Sequence, residues 1–346
     1  RGNMSAGDFM YYTLGFIFYK YLSEKIEKAA DEVLQDDGMT FKEAWASNDE
    51  ELKEALKEEC IQNLGYFVEP EFLYSTIISM IDKKENILPA LGRSLKKIED
   101  STLGQDSEDD FGGLFSDIDL TSQKIGKTAE EKNRLVSDVL LNLNEIDFGL
   151  SEAADIDILG DAYEYMIGQF AAGAGKKAGE FYTPACIVKT LVNVLEPYAG
   201  RVYDPCCGSG GMFVQSAKFI ESHSGNINQI SVYGQEYTST TLKLAKMNLA
   251  IRGVSANMGD RASSTFQNDQ HKDLKADFAL MNPPFNQKDW REENELTDDP
   301  RWKGYTTPAP SNANYAWILN MISKLSQNGV GCLLLANGAL SGNGTD

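Results

Sequence analysis

The chain predicts an all-helical N-terminal domain, residues 1–170, followed by an α/β domain, residues 171–346, with a mostly parallel, doubly wound, Rossmann-like sheet. Three observations predict it. No convincing alternating strand precedes about residue 200. Beyond it, short apolar runs alternate with helical periodicity, as parallel βα units require. Between the halves lies Ala171-Ala172-Gly173-Ala174-Gly175-Lys176-Lys177-Ala178-Gly179, a flexible linker by composition.

The elements follow in order. Residues 8–35 form a long helical pattern with Phe9, Leu14, Phe16, Phe18, Tyr21, Leu22 and Ile26 as core positions. Helical segments follow near 49–62, 71–82, 87–99, 129–145 and 157–170, the last with Asp157 as its cap. Gly104 to Gly113, carrying Asp106, Glu108, Asp109 and Asp110, reads as a solvated acidic loop. No catalytic constellation occurs in this half, so assembly is its expected role.

Glu180-Phe181-Tyr182-Thr183-Pro184 admits two readings. One is a helix start, with Thr183 capping a helix that begins at Pro184. The other is a turn lying against a cofactor, with Phe181 or Tyr182 as a lid. Arg201 to Asp204 is a strand, Cys206-Cys207-Gly208-Ser209-Gly210-Gly211 a tight turn, and Met212 to Glu221 a helix. Ile230 to Gly234 is a strand, 238–251 a helix, Asp277 to Met281 a strand, Asn314 to Leu325 a helix and Val330 to Ala336 a strand. Segment 286–313 interrupts the alternation with Trp290, Arg291, Arg301, Trp302, Lys303 and Tyr305. Such a long loop is expected to be functional or mobile. Its aromatic and basic groups suit nucleic acid, or else the tryptophans fold back onto the domain.

Composition narrows the function. Acidic residues number 52 against 32 basic ones, a formal charge of −20, which argues against a protein that grips nucleic acid alone over a wide face. No apolar run reaches the ~18 residues of a membrane span, and no signal peptide is visible. The odd set of Cys60, Cys186, Cys206, Cys207 and Cys332 shows no disulfide framework or zinc spacing, so no metal and a reducing cytoplasm are expected. The vicinal Cys206-Cys207 are read as small residues of a crowded turn rather than a redox pair. The two histidines, His223 and His271, lie in polar sequence and receive no role. The chain opens mid-pattern at Arg1 and stops at Asp346 just after a strand, so a C-terminally incomplete sheet is expected.

Asn282-Pro283-Pro284-Phe285 carries the chemistry. Two prolines stop the preceding strand and keep the backbone extended. The Asn282 amide oxygen and the Pro283 carbonyl are then two acceptors beside an aromatic face, Phe285. That set suits a planar ring with an exocyclic amine, whose hydrogens it accepts as the nitrogen attacks. A strand stop with a core phenylalanine is the plainer reading. Gly208, Gly210 and Gly211 suit close backbone approach to a ligand, but the spacing is not that of a pyrophosphate cradle. Asp204 can accept from an ammonium group, Glu236 from both hydroxyls of a ribose, and Asp260 from an adenine amine. Together these groups suit S-adenosylmethionine.

The residues resemble the modification (methyltransferase) subunit of type I restriction enzymes, HsdM, over nearly the full length. The resemblance is carried by Arg1-Gly2-Asn3-Met4, Gly179-Glu180-Phe181-Tyr182-Thr183-Pro184 and Asp204-Pro205-Cys206-Cys207-Gly208-Ser209-Gly210-Gly211-Met212-Phe213. It continues through Gly234-Gln235-Glu236, Asn282-Pro283-Pro284-Phe285, Arg301-Trp302 and Asn314-Tyr315-Ala316-Trp317. It implies a class I methyltransferase sheet and methyl transfer from S-adenosylmethionine to adenine N6 of a flipped base in DNA. It also implies two such subunits on one specificity subunit, a separate restriction subunit, and no membrane. Asn282, Pro283, Pro284 and Phe285 become the catalytic set. Glu180 to Ala185, Asp204, Cys206, Gly208 to Gly211, Glu236 and Asp260 become the cofactor set. Ala185 stands where the family often has a basic residue, and Ala336 where a proline is common. Two alternatives stay open: methylation of an RNA or of a protein glutamine, and an assembly subunit that binds the cofactor without independent activity.

Overall fold

The computed structural model describes residues 4–105, 107–147, 158–173, 182–223 and 225–339. The chain divides into two compact units, 1–170 and 171–346. No helix among the described residues is long and apolar enough to cross a membrane.

The first unit is helical and organised around α1 (Ala6–Val33). From Tyr12 to Ser23 every residue of α1 is buried, because helices surround it on all sides. α2 (Phe41–Ala46), α3 (Glu50–Leu64), α4 (Tyr74–Asp82) and α7 (Ala129–Asn144) pack on it, while α5 (Leu88–Ser101) and α6 (Glu108–Phe111) pair with each other. The buried tyrosines satisfy their hydroxyls on backbone: Tyr19 donates to Phe72 O at 2.6 Å and Tyr66 to Leu22 O at 2.7 Å. α8 (Ile158–Gly173) follows.

Two expectations change here. The acidic stretch 104–113 is not simply a solvated loop: Phe111 is buried against Tyr66, and Ser107 Oγ donates to Gly65 O. The supposed linker begins as helix, since α8 runs through Gly173, and 174–179 lie outside the described residues. Asp157, the expected cap of α8, also lies outside them. The short α2 was not read at all, although Thr40 and Glu43 form its capping box.

The second unit holds a five-stranded parallel sheet: β1 (Gly200–Asp204), β2 (Ile230–Gly234), β3 (Ala256–Asn257), β4 (Ala276–Met281) and β5 (Leu325–Leu333), in the order β3-β2-β1-β4-β5. α9 (Ala185–Leu195), α10 (Gly211–Ser222) and α11 (Ser239–Ile251) share one apolar cluster with Val202, Val232 and Leu280. Side chains alternate along a strand. Tyr203 and Tyr233 accordingly meet the His271 ring instead, at 6.1 and 5.7 Å. α12 (Asn314–Lys324) packs on β4 and β5.

β5 starts earlier than its apolar run. It pairs with β4 at Leu325 and again from Val330, and Ser326 to Gly329 form an irregularity opposite Asp277. The strand order reverses between β1 and β4, where Tyr203 pairs with Ala279. The carboxyl ends of strands at such a reversal open a crevice that α/β proteins use for ligands.

Candidate active site

Asp204 ends β1 and is buried, with Oδ1 accepting the Cys206 N–H at 3.0 Å. Burial pushes its carboxyl up to about 7; the Cys206 N–H works against the rise and the Glu236 charge adds to it. Asp204 pairs in register with Gly234, so Glu236 follows two residues beyond on the next strand. Glu236 is 7% exposed, and burial raises its carboxyl as well. Its Oε2 accepts the Gly208 N–H at 3.0 Å and its Oε1 the Thr238 N–H at 2.9 Å. The acid read as a ribose acceptor therefore also ties the glycine turn to the end of β2, and each oxygen keeps a second acceptor position.

The turn itself needs glycine. Gly208 and Gly210 have φ of +55° and +80°, in the left-handed region. At Gly211 an added Cβ would meet nothing within 4 Å, so that side of the turn faces open space. α11 holds the turn from behind: Asn248, wholly buried, donates to Ser209 O at 2.9 Å, and the Arg252 guanidinium donates to Asn248 Oδ1.

Gln235 joins the walls of the site. Its N–H donates to Asp204 O at 3.1 Å, and its O accepts the Cys207 N–H at 3.1 Å. Its side-chain nitrogen donates to Asn268 O at 2.7 Å and Ser263 Oγ at 3.0 Å. Ser263 N–H donates to Glu236 O at 2.9 Å, which draws the segment carrying Asp260 alongside Glu236. The Asp260 side chain is exposed.

Across the reversal, Asn282 follows β4 directly. Its Nδ2 donates to Thr183 Oγ1 at 2.9 Å, and its Oδ1 is buried with no hydrogen-bond partner among the described residues. Pro283 is buried, Pro284 is exposed, and the Phe285 ring is 51% exposed. That exposure removes the core-phenylalanine reading. Thr183 does not cap: α9 begins at Ala185 after Pro184, without a side-chain cap. Tyr182 is half-buried, Pro184 and Ala185 are exposed, and Glu180 and Phe181 lie outside the described residues.

Segment 286–313 is built inward. Trp290, Arg291, Arg301 and Trp302 are all buried. Phe266 packs against Trp290 at 4.6 Å and Trp317 at 4.3 Å. Arg301 donates to Thr265 O at 2.8 Å and Phe266 O at 2.6 Å and pairs with Asp299 at 2.7 Å. Of the two readings of this segment, the one in which the tryptophans fold back onto the domain holds, and Arg291 and Arg301 are buried with them as staples of the same wall. Lys303 and Tyr305 remain exposed.

Burial drives the Cys206 and Cys207 thiols well above their ordinary range, which disfavours redox chemistry. His271 is buried rather than in polar surroundings, with Nε2 2.8 Å from Gly234 O, whereas His223 is exposed and rests one face on Phe219 at 4.3 Å. Among the described residues no cluster could hold a metal ion.

Residues 154–346 match the N-6 DNA Methylase family. The chain belongs to that family. Residues 1–143 match the HsdM N-terminal domain. The chain is 54% identical over 185 residues to the type I restriction enzyme HindI methylase subunit of Haemophilus influenzae, covering 54% of this chain and 41% of that one. It is 31% identical over 347 residues to the MjaIX methylase subunit of Methanocaldococcus jannaschii, covering 99% of this chain and 59% of that one. The crystal structure of a type I restriction-modification system methyltransferase subunit from Streptococcus thermophilus superposes with a TM-score of 0.83 at 31% identity, over 97% of this chain and 71% of that one. The chain thus spans about half the length of these two curated relatives.

Four residues that build the candidate site carry no role in the sequence reading: Gln235, Asn248, Asn286 and Asn314. Each is an amide that joins distant backbone segments, and polar residues of this kind look like surface positions in sequence. Gln235 and Asn314 lie within motifs named above, but neither is given a role there.

Proposed function

We propose that this chain is the methyl-transferring part of a type I modification enzyme, acting on the N6 amine of adenine in DNA. The observation that carries the reading is the Asn282 Oδ1: a buried acceptor without a partner among the described residues, on the strand end next to Asp204 across the sheet reversal.

S-adenosylmethionine fits the residues present. Two buried carboxylates end neighbouring strands, as a ligand with an ammonium group and a ribose requires, and the turn between them is open at Gly211. Asp204 would take the ammonium, Glu236 the ribose hydroxyls, and Asp260 the adenine amine. Backbone from Cys206 to Gly211 and the stretch from Glu180 to Ala185 would border the rest. Once bound, the cofactor supplies an electrophilic methyl group on a sulfonium.

The chain's own residues prepare the nucleophile. A target adenine leaves the duplex, as reaction on a base requires. Asn282 Oδ1 and the Pro283 carbonyl accept its two amine hydrogens, which raises electron density on nitrogen. The half-exposed Phe285 ring offers a stacking face worth ~1–3 kcal/mol. Pro284 holds the backbone extended. No strong base is needed, because the nitrogen becomes acidic as it is alkylated.

The formal charge of −20 fits an enzyme whose grip on DNA comes from a partner. Two copies would sit on one specificity subunit in the cytoplasm, with a restriction subunit joining them. The test is to co-purify the chain with a specificity subunit and count labelled methyl groups on duplex DNA, RNA and protein acceptors. Label on DNA alone supports the reading. Cofactor binding without transfer to any acceptor would leave an assembly role instead.

A further inference from the structure

We propose that Thr183 is a positioning residue for the Asn282 carboxamide, holding its nitrogen so that its oxygen stays available to the substrate amine. The proposal rests on the reading of Asn282 given above.

Thr183 stands where sequence expects a helix cap, yet α9 has no side-chain cap. Its hydroxyl instead accepts from Asn282 Nδ2 at 2.9 Å, across 99 residues of chain. No other partner of the Asn282 side chain occurs among the described residues.

The other end of the same amide makes the case. Asn282 Oδ1 is buried and unpaired. Leaving such an oxygen unsatisfied is unfavourable until a donor arrives. The terminal torsion of asparagine is broad, so an amide held at neither end samples other orientations. A turned amide would present N–H groups to an amine that also carries N–H groups, and no hydrogen bond could form. The Thr183 hydroxyl accepts from the nitrogen end and so fixes the plane of the carboxamide with its oxygen on the opposite side, set before the substrate arrives. The hydroxyl can also donate, so the substrate amine completes the choice of end. A preset acceptor needs no reorganisation during the reaction.

The test compares Thr183→Val, which removes the hydroxyl at nearly constant shape, with Thr183→Ser, which keeps it. Thr183→Ala serves as the hydroxyl-free variant should valine not fold. Asparagine-selective ¹⁵N labelling reads the amide directly, the Asn282 side-chain pair being assigned by its loss in Asn282→Ala. In Thr183→Val this pair should move toward the position of a solvated amide and exchange with water roughly tenfold faster, whereas Thr183→Ser should restore it. With the specificity subunit, kcat of Thr183→Val should fall about 10- to 100-fold, less than the ~10²–10³ expected for losing the acceptor itself. The KM for S-adenosylmethionine should stay within about threefold.

An unmoved Asn282 signal in Thr183→Val would overturn the proposal. So would a raised cofactor KM at constant kcat, which assigns the hydroxyl to the cofactor. A raised kcat would do the same, since it makes the contact a latch. If the unaltered complex methylates no DNA, the functional reading fails, and the amide signal alone still decides whether Thr183 holds Asn282.

Discussion

Asn314 holds Asn286 at two points: its Oδ1 accepts the Asn286 backbone N–H at 3.1 Å, and its Nδ2 donates to Asn286 Oδ1 at 2.9 Å. Asn286 directly follows Phe285 and has φ of +51°, a left-handed conformation that asparagine tolerates better than most residues. Ala313 N–H reinforces the grip by donating to Gln287 O at 2.9 Å. The start of α12 thus anchors the far end of the tetrapeptide, as Thr183 engages the near end.

This pairing predicts that Asn314→Ala costs ~0.5–1.5 kcal/mol of stability for each of the two hydrogen bonds lost, since Asn286 is exposed and its groups return to water. Methyl transfer should fall more than stability alone explains, because Phe285 loses its anchor. Urea unfolding and transfer rates at a temperature where the variant is fully folded check both parts. Full activity in a destabilised but folded variant would show that Asn314 serves packing only.

Replacing the acceptor should separate chemistry from binding. Asn282→Ala is expected to lower kcat by ~10²–10³, the usual effect of removing one preset polar group. Cofactor affinity measured by calorimetry should remain close to that of the unaltered chain. Loss of both together would mean that Asn282 shapes the cofactor site.

Asp204 gives a pH signature. Its carboxyl is raised from 3.8 to about 7 in the folded chain, mainly by burial. Between those values the folded state binds the extra proton, so stability falls as pH rises through the window. The contribution is full below 3.8 and lost above about 7, a difference of up to about 4 kcal/mol. Asp204→Asn should therefore gain stability relative to the unaltered chain between pH ~5 and ~8, read from urea midpoints. A ligand ammonium needs the ionised form, so cofactor affinity of the unaltered chain should rise over the same range, with proton release on binding. A pH-independent difference between the two proteins would place the buried charge elsewhere.

Arg301 should behave as a staple. It is 9% exposed and joins Asp299 to the backbone at Thr265 and Phe266. Arg301→Ala is expected to cost ~3–5 kcal/mol, as for other buried pairs that lose one partner. A small loss of stability with a large loss of DNA affinity would return this arginine to the nucleic-acid surface.

The sheet was legible where strands are short apolar runs, as at Val202 to Asp204 and Phe278 to Met281. It was not legible at β3, which has two residues, or at the polar irregularity Ser326 to Gly329, where pairing is set by neighbours. In the site, backbone-imposed features could be read: the glycines of the turn and the prolines after Asn282. Local signals misled where tertiary contacts won. Thr183 looked like a cap because it precedes Pro184, but its hydroxyl meets Asn282. Trp290 and Arg301 left two readings open because large aromatic and basic groups are alike in sequence whether they face DNA or Phe266.

The most direct measurement is the identity of the methylated atom. Duplex DNA treated with the chain, a specificity subunit and labelled S-adenosylmethionine would be digested to nucleosides and resolved by mass spectrometry. The account predicts label in N6-methyladenine, lost in Asn282→Ala. Label on cytosine, or equal labelling by Asn282→Ala, would contradict it.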